Sequence, residues 1–290
     1  MKKRFIVLGI LLAIFGLTKM NAQEDSNKKE MSTLDKALVG FTFSDADAIV
    51  LAQKSIAEMD ANNPVAGPTD GYTIRLNRLF GKHAATDGVT LNYKVYLVKD
   101  INAFACADGS VRVFAGLMNI VDDNELLAII GHEIGHVVNH DTKNEIKAAY
   151  RKEALIDVAK SQSGTIDALS QTQLGKIGSA MIDSKHSRKQ EASADSFSYE
   201  FMKKNGYDVN AVESAFRILQ NLSEGADSSF MTRMMSSHPD SGKRADDAKK
   251  RATKDGLYNP YVQQKIDNSA PVKAKATTKT TAKKTTAKKK

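Results

Sequence analysis

Read only as apolar and polar positions, the chain has a short middle stretch with strand-like alternation, set between segments with helical periods. Ser44 stands where a helix N-cap belongs, and a helical pattern runs to about Met59 before Asn62-Asn63-Pro64 and Gly67-Pro68 break it. Tyr72 to Leu79 reads as a second helix, whereas Val89 to Val98 alternates and is rich in the β-branched and aromatic residues that suit strands. Asn102 to Ala107 and Val111 to Ala115 then flank Asp108-Gly109-Ser110, where a glycine supplies the positive φ of a tight reversal, so a hairpin is expected. From Asp122 the period turns helical. Asp122 and Glu125 have capping-box spacing, and Leu126, Leu127, Ile130, Ile134, Val137 and Val138 form an apolar stripe. Further helices are expected around residues 144–160, 171–183, 187–204, 209–222 and 241–252, the third of these ending near Asn205 and Gly206. The pattern predicts an α+β fold, mainly helical, without internal repeats.

Both ends of the chain differ from this body. Met1 to Arg4 is basic and is followed by an apolar run from Phe5 to Leu17, the layout of a secretory signal ending near Ala22. That run is shorter than the roughly 20 residues that span a bilayer. Export with cleavage after Ala22 is the leading expectation, and an uncleaved anchor is the alternative. Residues 23–34 read as a linker, 35–260 as one domain, and 261–290 as a Lys/Thr/Ala-rich tail with too little apolar content to fold.

Composition changes the picture in one respect. A net charge of +8 points to nucleic acid until it is located: residues 270–290 carry eight Lys and no acid. Residues 23–269 keep 30 of the 42 basic groups against 34 acidic ones, so the body is mildly acidic. It has no basic stripe interleaved with aromatics, and nucleic-acid binding is not expected. The tail is either simply solvated or in weak contact with an anionic envelope surface. The single cysteine, Cys106, excludes an intrachain disulfide and reads as a small packed residue.

The candidate chemistry begins on the helix after Asp122. His132-Glu133-Ile134-Gly135-His136 places two imidazoles one turn apart on one face, within reach of a single metal ion. His140 is eight residues from His132, about 12 Å of helical rise, too far to share that ion. Glu191-Ala192-Ser193-Ala194-Asp195 puts two carboxylates one turn apart among small residues that permit close helix approach. One could be a ligand and the other a hydrogen-bond acceptor that orients a ligating histidine. By itself, such a pair is also what a solvated helix face shows.

Five ordered blocks resemble one family. They are Asn102-Ala103-Phe104-Ala105, Gly116-Leu117, the His132 to His136 motif, Ser187-Arg188-Lys189-Gln190-Glu191 with Asp195, and Ser237-His238-Pro239 followed by Arg244. Together they resemble the prenyl-protease-like (CaaX protease/OMA-type) zinc metallopeptidases, especially the soluble envelope members from bacteria. The resemblance implies a gluzincin-like zincin with a small β-sheet or hairpin beside the metal-binding helix. It also implies one Zn2+ per chain held by His132, His136 and Glu191, and an active-site place for His238 and Arg244. The turn after Ala105 departs from the family, with Cys106-Ala107-Asp108-Gly109 where Pro and Gly-Gly are common.

In the reaction so implied, Glu133 is the general base and Asp195 supports a ligand histidine. His238 or Arg244 would stabilise developing negative charge. For His238 two other readings stay open: a ligand that holds the enzyme inactive, and an ordinary turn residue before proline. Asn102, Ala103, Phe104 and Ala105 are expected in an exposed edge strand that pairs with an extended substrate, against the alternative of a structural hairpin. Phe230, Met231, Met234 and Met235 form an apolar cluster suited to core packing or a specificity pocket. Residues 141–184 separate the ligand helices and are a candidate lid. The expected substrates are polypeptides, unfolded or misassembled in the envelope. The competing function is a zinc-bearing binding protein with little chemistry.

Overall fold

The computed structural model describes residues 43–269 apart from 87, 158–165, 167–168, 184, 225–233 and 235–236. The leader, the tail from residue 270, and Phe230, Met231 and Met235 therefore lie outside the described residues. Helix α1 (Asp45–Asn62) starts on the Ser44 capping box and buries Leu51, Ala52, Ser55 and Ile56 at helical spacing. Helix α2 (Gly71–Phe80) is capped by Asp70. Strands β1 (Ala85–Thr86) and β2 (Val89–Thr90) form a small antiparallel pair. A three-stranded sheet follows, made of β3 (Asn92–Tyr96), β4 (Ala103–Ala105) and β5 (Ser110–Phe114) in the order β3-β5-β4.

The expected hairpin is β4–β5, antiparallel with Phe104 opposite Arg112. Gly109 turns it with φ +83, and a Cβ there would lie 1.9 Å from the Thr90 carbonyl oxygen, so both conformation and space require glycine. The strand expected over 89–98 is divided into β2 and β3, and β3 runs parallel to β5, a pairing that alternation alone does not specify.

After a short helix α3 (Ala115–Met118) come the helices that build the site. Helix α4 (Asp123–Val138) opens on the Asp122/Glu125 capping box and is buried on nearly every side. Helices α5 (Asp141–Asp157) and α6 (Gln171–Ile182) pack on α1. Helix α7 (Arg188–Lys204) begins on the Ser187/Gln190 capping box and lies against α4. That approach is close because Gly135 faces Ala194: a Cβ on Gly135 would sit 3.0 Å from the Ala194 Cα. Helices α8 (Asn210–Glu224) and α9 (Ser241–Lys254) complete the body. The main core joins the α4 stripe to β4, β5, α7 and α8, and Met234 belongs to it. No described helix is long and apolar enough to cross a membrane.

Two expectations need correction. Strand β4 lies at the sheet edge but is not exposed: Asn102, Ala103, Phe104 and Ala105 are all buried. Helix α4 packs on it, and Phe104 lies among the rings of Tyr96 and Phe114. Residues 261–269, placed in the tail on composition, instead cross the start of α4 as a strap. Tyr261 Oη and the Gln264 backbone N–H donate to Asp122 Oδ2 at 2.7 and 2.6 Å, and Gln263 Nε2 donates to Glu125 Oε2 at 2.7 Å. Few apolar side chains are needed because backbone and amide hydrogen bonds hold the strap.

Candidate metal centre

Helical geometry places His132 and His136 on one face of α4, and the close packing of α7 brings Glu191 opposite them. The segment before α9 adds His238. All four side chains are buried. His132 Nε2 lies 3.1 Å from His136 Nε2 and 3.2 Å from His238 Nδ1. Glu191 Oε1 is 3.0 Å from His238 Nδ1 and 3.4 Å from His136 Nε2. Zinc–nitrogen bonds of about 2.0–2.1 Å in a tetrahedron set ligand atoms roughly 3.3 Å apart, the spacing found here. The donor set of imidazoles and carboxylate suits zinc, with Glu191 Oε1 turned to the imidazoles and Oε2 to the Arg244 guanidinium. The residues present therefore fit the ion.

The surroundings fix the ligand rings. Asp195 Oδ1 is 2.9 Å from His132 Nδ1, and Asp141 Oδ2 is 2.9 Å from His136 Nδ1. A proton held at each Nδ1 leaves Nε2 as the metal-binding atom. Asp141 was not expected. As the first residue of α5, it reads from sequence as an ordinary acid at a helix start. Its other oxygen accepts from Gln190 Nε2 at 3.0 Å, which ties the start of α7 to the start of α5.

Arg244 is buried and turns toward the ligand carboxylates. Its Nε and Nη2 donate to Asp195 at 2.9 and 2.6 Å, and Nη1 is 2.7 Å from Glu191 Oε2. Its guanidinium also lies over the Phe216 ring, 4.0 Å from the centroid. With all three nitrogens facing carboxylates, Arg244 holds ligand and orienter together and is not a free donor. His238 Nε2 points to Glu133, 3.5 Å from Oε1. His140, with φ +63, ends the turn after α4 and is exposed.

Electrostatics follow from burial. Desolvation pushes Glu133 up to about 8, with the Glu191 charge adding to it. It pulls His238 down to about 4 and His132 well below its ordinary value, where Arg244 adds to the effect. For His136 the carboxylates of Asp141 and Glu191 outweigh burial and raise it to about 9. Glu191 is held well below the carboxylate range despite burial, by its bonds to His136 and His238 and the charges of His132 and Arg244.

One further imidazole belongs to the site. His186, just before α7, stacks on His136 with ring centroids 3.7 Å apart and planes 11° from parallel. Its only sequence signal is its position five residues before Glu191, because it lies outside any helical period. The segment expected as a lid starts with α5, whose first two turns bring Asp141 and Glu145 into this neighbourhood.

Comparison with known proteins agrees with the geometry. Residues 74–252 match peptidase family M48, a span that contains every ligand candidate. The chain is 39% identical to metalloprotease YcaL of Escherichia coli over 224 residues, covering 76% of this chain and 85% of that protein. It is 36% identical to metalloprotease LoiP of the same organism over 228 residues, covering 78% and 89%. A putative beta-barrel assembly-enhancing protease of Vibrio cholerae is 28% identical over 182 residues, covering 58% of this chain and 36% of that protein. With a buried His-His-Glu-His cluster inside a matched span that covers more than half of its residues, the chain belongs to peptidase family M48, as a zinc metalloendopeptidase.

Proposed function

We propose that this chain is an exported endopeptidase that cleaves unfolded or misassembled polypeptides of the cell envelope, with Glu133 as general base. The observation that carries the mechanism is the position of Glu133, buried beside the ligand cluster on the same helix as His132 and His136. Zinc, when held by His132, His136 and Glu191, supplies Lewis acidity that makes water nucleophilic at neutral pH and polarises a peptide carbonyl. Glu133 takes the proton of the attacking water and returns it to the leaving amine, so one carboxylate serves both steps. Asp195 and Asp141 keep Nδ1 of the two histidines protonated, and Arg244 steadies Glu191 and Asp195.

Substrate binding draws on β4. Phe114 N–H donates to the Asn102 carbonyl, and Cys106 N–H donates to that of Ser110. Antiparallel alternation then turns the backbone groups of Ala103 and Ala105 away from β5, toward the side on which no described strand pairs. Ala103 N–H is taken by Asn102 Oδ1 at 2.9 Å, while the buried Asn102 Nδ2 has no hydrogen-bond partner among the described residues. An extended peptide pairing there would be recognised mainly through its backbone, which suits unfolded chains. The name of the Vibrio cholerae relative, a barrel assembly-enhancing protease, and the signal-like leader support an envelope setting.

His238 favours a second reading of the same centre. Its Nδ1 sits among the ligand atoms at 3.0–3.2 Å, making a fourth donor where a catalytic site keeps a position open. In this reading His238 restrains the enzyme until substrate displaces it. The test compares cleavage of an unfolded protein by the purified wild type, Glu133→Gln and His238→Ala, with bound zinc counted in each. One zinc in all three, activity lost in Glu133→Gln and raised in His238→Ala, is the expected result. Cleavage by Glu133→Gln at the wild-type rate would remove the base assignment, and lower activity in His238→Ala would make His238 a transition-state donor instead.

A further inference from the structure

Glu145 and His186 form a half-buried pair beside the centre with no part in the mechanism above. His186 Nδ1 lies 2.7 Å from Glu145 Oε1, although off the axis of a hydrogen bond. The His186 backbone N–H donates to the Ser237 carbonyl at 3.2 Å, which fastens this residue to the segment that carries His238. Asp141 and Glu145 are one turn apart on α5, so one helix face presents a carboxylate to each of two stacked imidazoles.

The stack distinguishes His136 from the other ligand ring. His132 meets His136, His238 and Phe216 with planes at 88°, 73° and 87°. Of the two, only His136 has a ring lying flat on its face among the described residues, at 11°. The Asp141 contact fixes the His136 Nδ1 atom but leaves the ring able to rock about that contact. A parallel ring blocks this motion. With so little offset, two neutral rings gain little from such an arrangement, whereas an electron-poor ring lying on a π face is attracted to it. Binding of a cation makes His136 that electron-poor ring.

We infer that His186 is a positioning residue of the zinc centre: lying flat on His136 and backed by Glu145, it holds the ligand in the plane that meets the metal. The inference rests on the reading of His132, His136 and Glu191 as zinc ligands. His136, Asp141 and His186 also lie close enough to share a second cation, but Asp141 would then have to leave His136.

The experiment follows zinc transfer from the full chain to a colorimetric chelator and records the visible spectrum of the Co2+-substituted protein. It compares wild type, His186→Phe, which keeps an aromatic face, and His186→Leu, which keeps volume alone. Loss of a residue supporting a ligand lowers metal affinity about 10- to 100-fold, so His186→Leu is expected to release zinc at least about tenfold faster with altered Co2+ bands. His186→Phe is expected to stay near the wild-type rate and spectrum. Wild-type behaviour of His186→Leu would overturn the inference, as would equal loss in both variants, which would transfer the effect to the Glu145 contact. Two zinc ions per wild-type chain, reduced to one in His186→Phe, would replace it with a second metal site. If His186→Leu does not fold, His186→Met takes its place. Absence of zinc from the wild type would instead be a failure of the zinc-centre reading itself.

Discussion

Asp60, half-buried, and Glu191, buried, are both carboxylates among nitrogen-bearing side chains, yet their surroundings differ in kind. Asp60 accepts from Arg112 Nε and Nη2 at 2.8 and 2.9 Å, from Lys94 Nζ at 2.7 Å and from Tyr96 Oη at 2.7 Å. Each of its oxygens meets protein donors, and the group ties α1 to β3 and β5. Around Glu191, ring nitrogens of three imidazoles and the carboxylate converge instead, while Arg244 Nη1 faces Oε2 at 2.7 Å. A structural cluster closes on its own protons, whereas a metal centre gathers acceptors. Partial or full withdrawal from water does not by itself make either of them a ligand. The direction in which the donors point separates the two.

Breaking each cluster should therefore have different consequences. The largest effect is expected from Glu133→Gln: peptidase activity falls by about 10²- to 10⁴-fold, the range of general-base catalysis, while zinc content and melting temperature stay at wild-type values. At the other cluster, Arg112→Met is expected to destabilise the fold by about 3 kcal/mol, the low end for breaking a buried pair, because Asp60 is half-buried and keeps Lys94 and Tyr96. Urea unfolding measures that loss, and bound zinc per folded chain should not change. Gly135→Ala connects packing with chemistry. Its methyl would meet the Ala194 Cα at 3.0 Å, so about 1–3 kcal/mol of overpacking strain is expected together with weaker zinc retention, as α7 carries Glu191 away.

The smallest effect is one of pH. Burial raises Asp60, but its bonds to Arg112, Lys94 and Tyr96 outweigh this and hold it at about 2. Its folded pKa thus lies below an unfolded value of about 3.9. The Asp60 contribution is present above that value and is lost as pH falls from about 4 to about 2. Asp60→Asn should be less stable than wild type at neutral pH, and the gap measured by denaturation should narrow through that acid window. A gap constant down to pH 2 would remove Asp60 as its source.

The parts of this design that repeat along the chain are legible in sequence. The α4 stripe, the capping box at Asp122, the helix over 187–204 and the reversal at Gly109 each carry a local signal, and each appears in the structure at that place. The pair of histidines on α4 needs only helical spacing. Glu191 needs more, because nothing within α7 separates it from a solvated acid until Gly135 and Ala194 bring the helices together. Asp141, Glu145 and His186 were hidden because their partners are fixed by tertiary contacts between α4, α5 and the loop before α7. The strap was hidden for a related reason: its composition is polar, and what holds it is a set of acceptors more than a hundred residues away.

That strap has a consequence for the order in which the molecule is completed. Asp122 and Glu125 are fully buried, and their outer oxygens receive hydrogen bonds from residues 138 to 142 positions later in the chain. During synthesis, the start of the zinc-binding helix waits for residues 261–264 to arrive. Such long-range closure is slow relative to local helix formation. A nascent or truncated chain ending before Tyr261 carries every residue of the catalytic centre but leaves those two carboxylates facing water, so the finished protease is a property of the whole body and not of its motif.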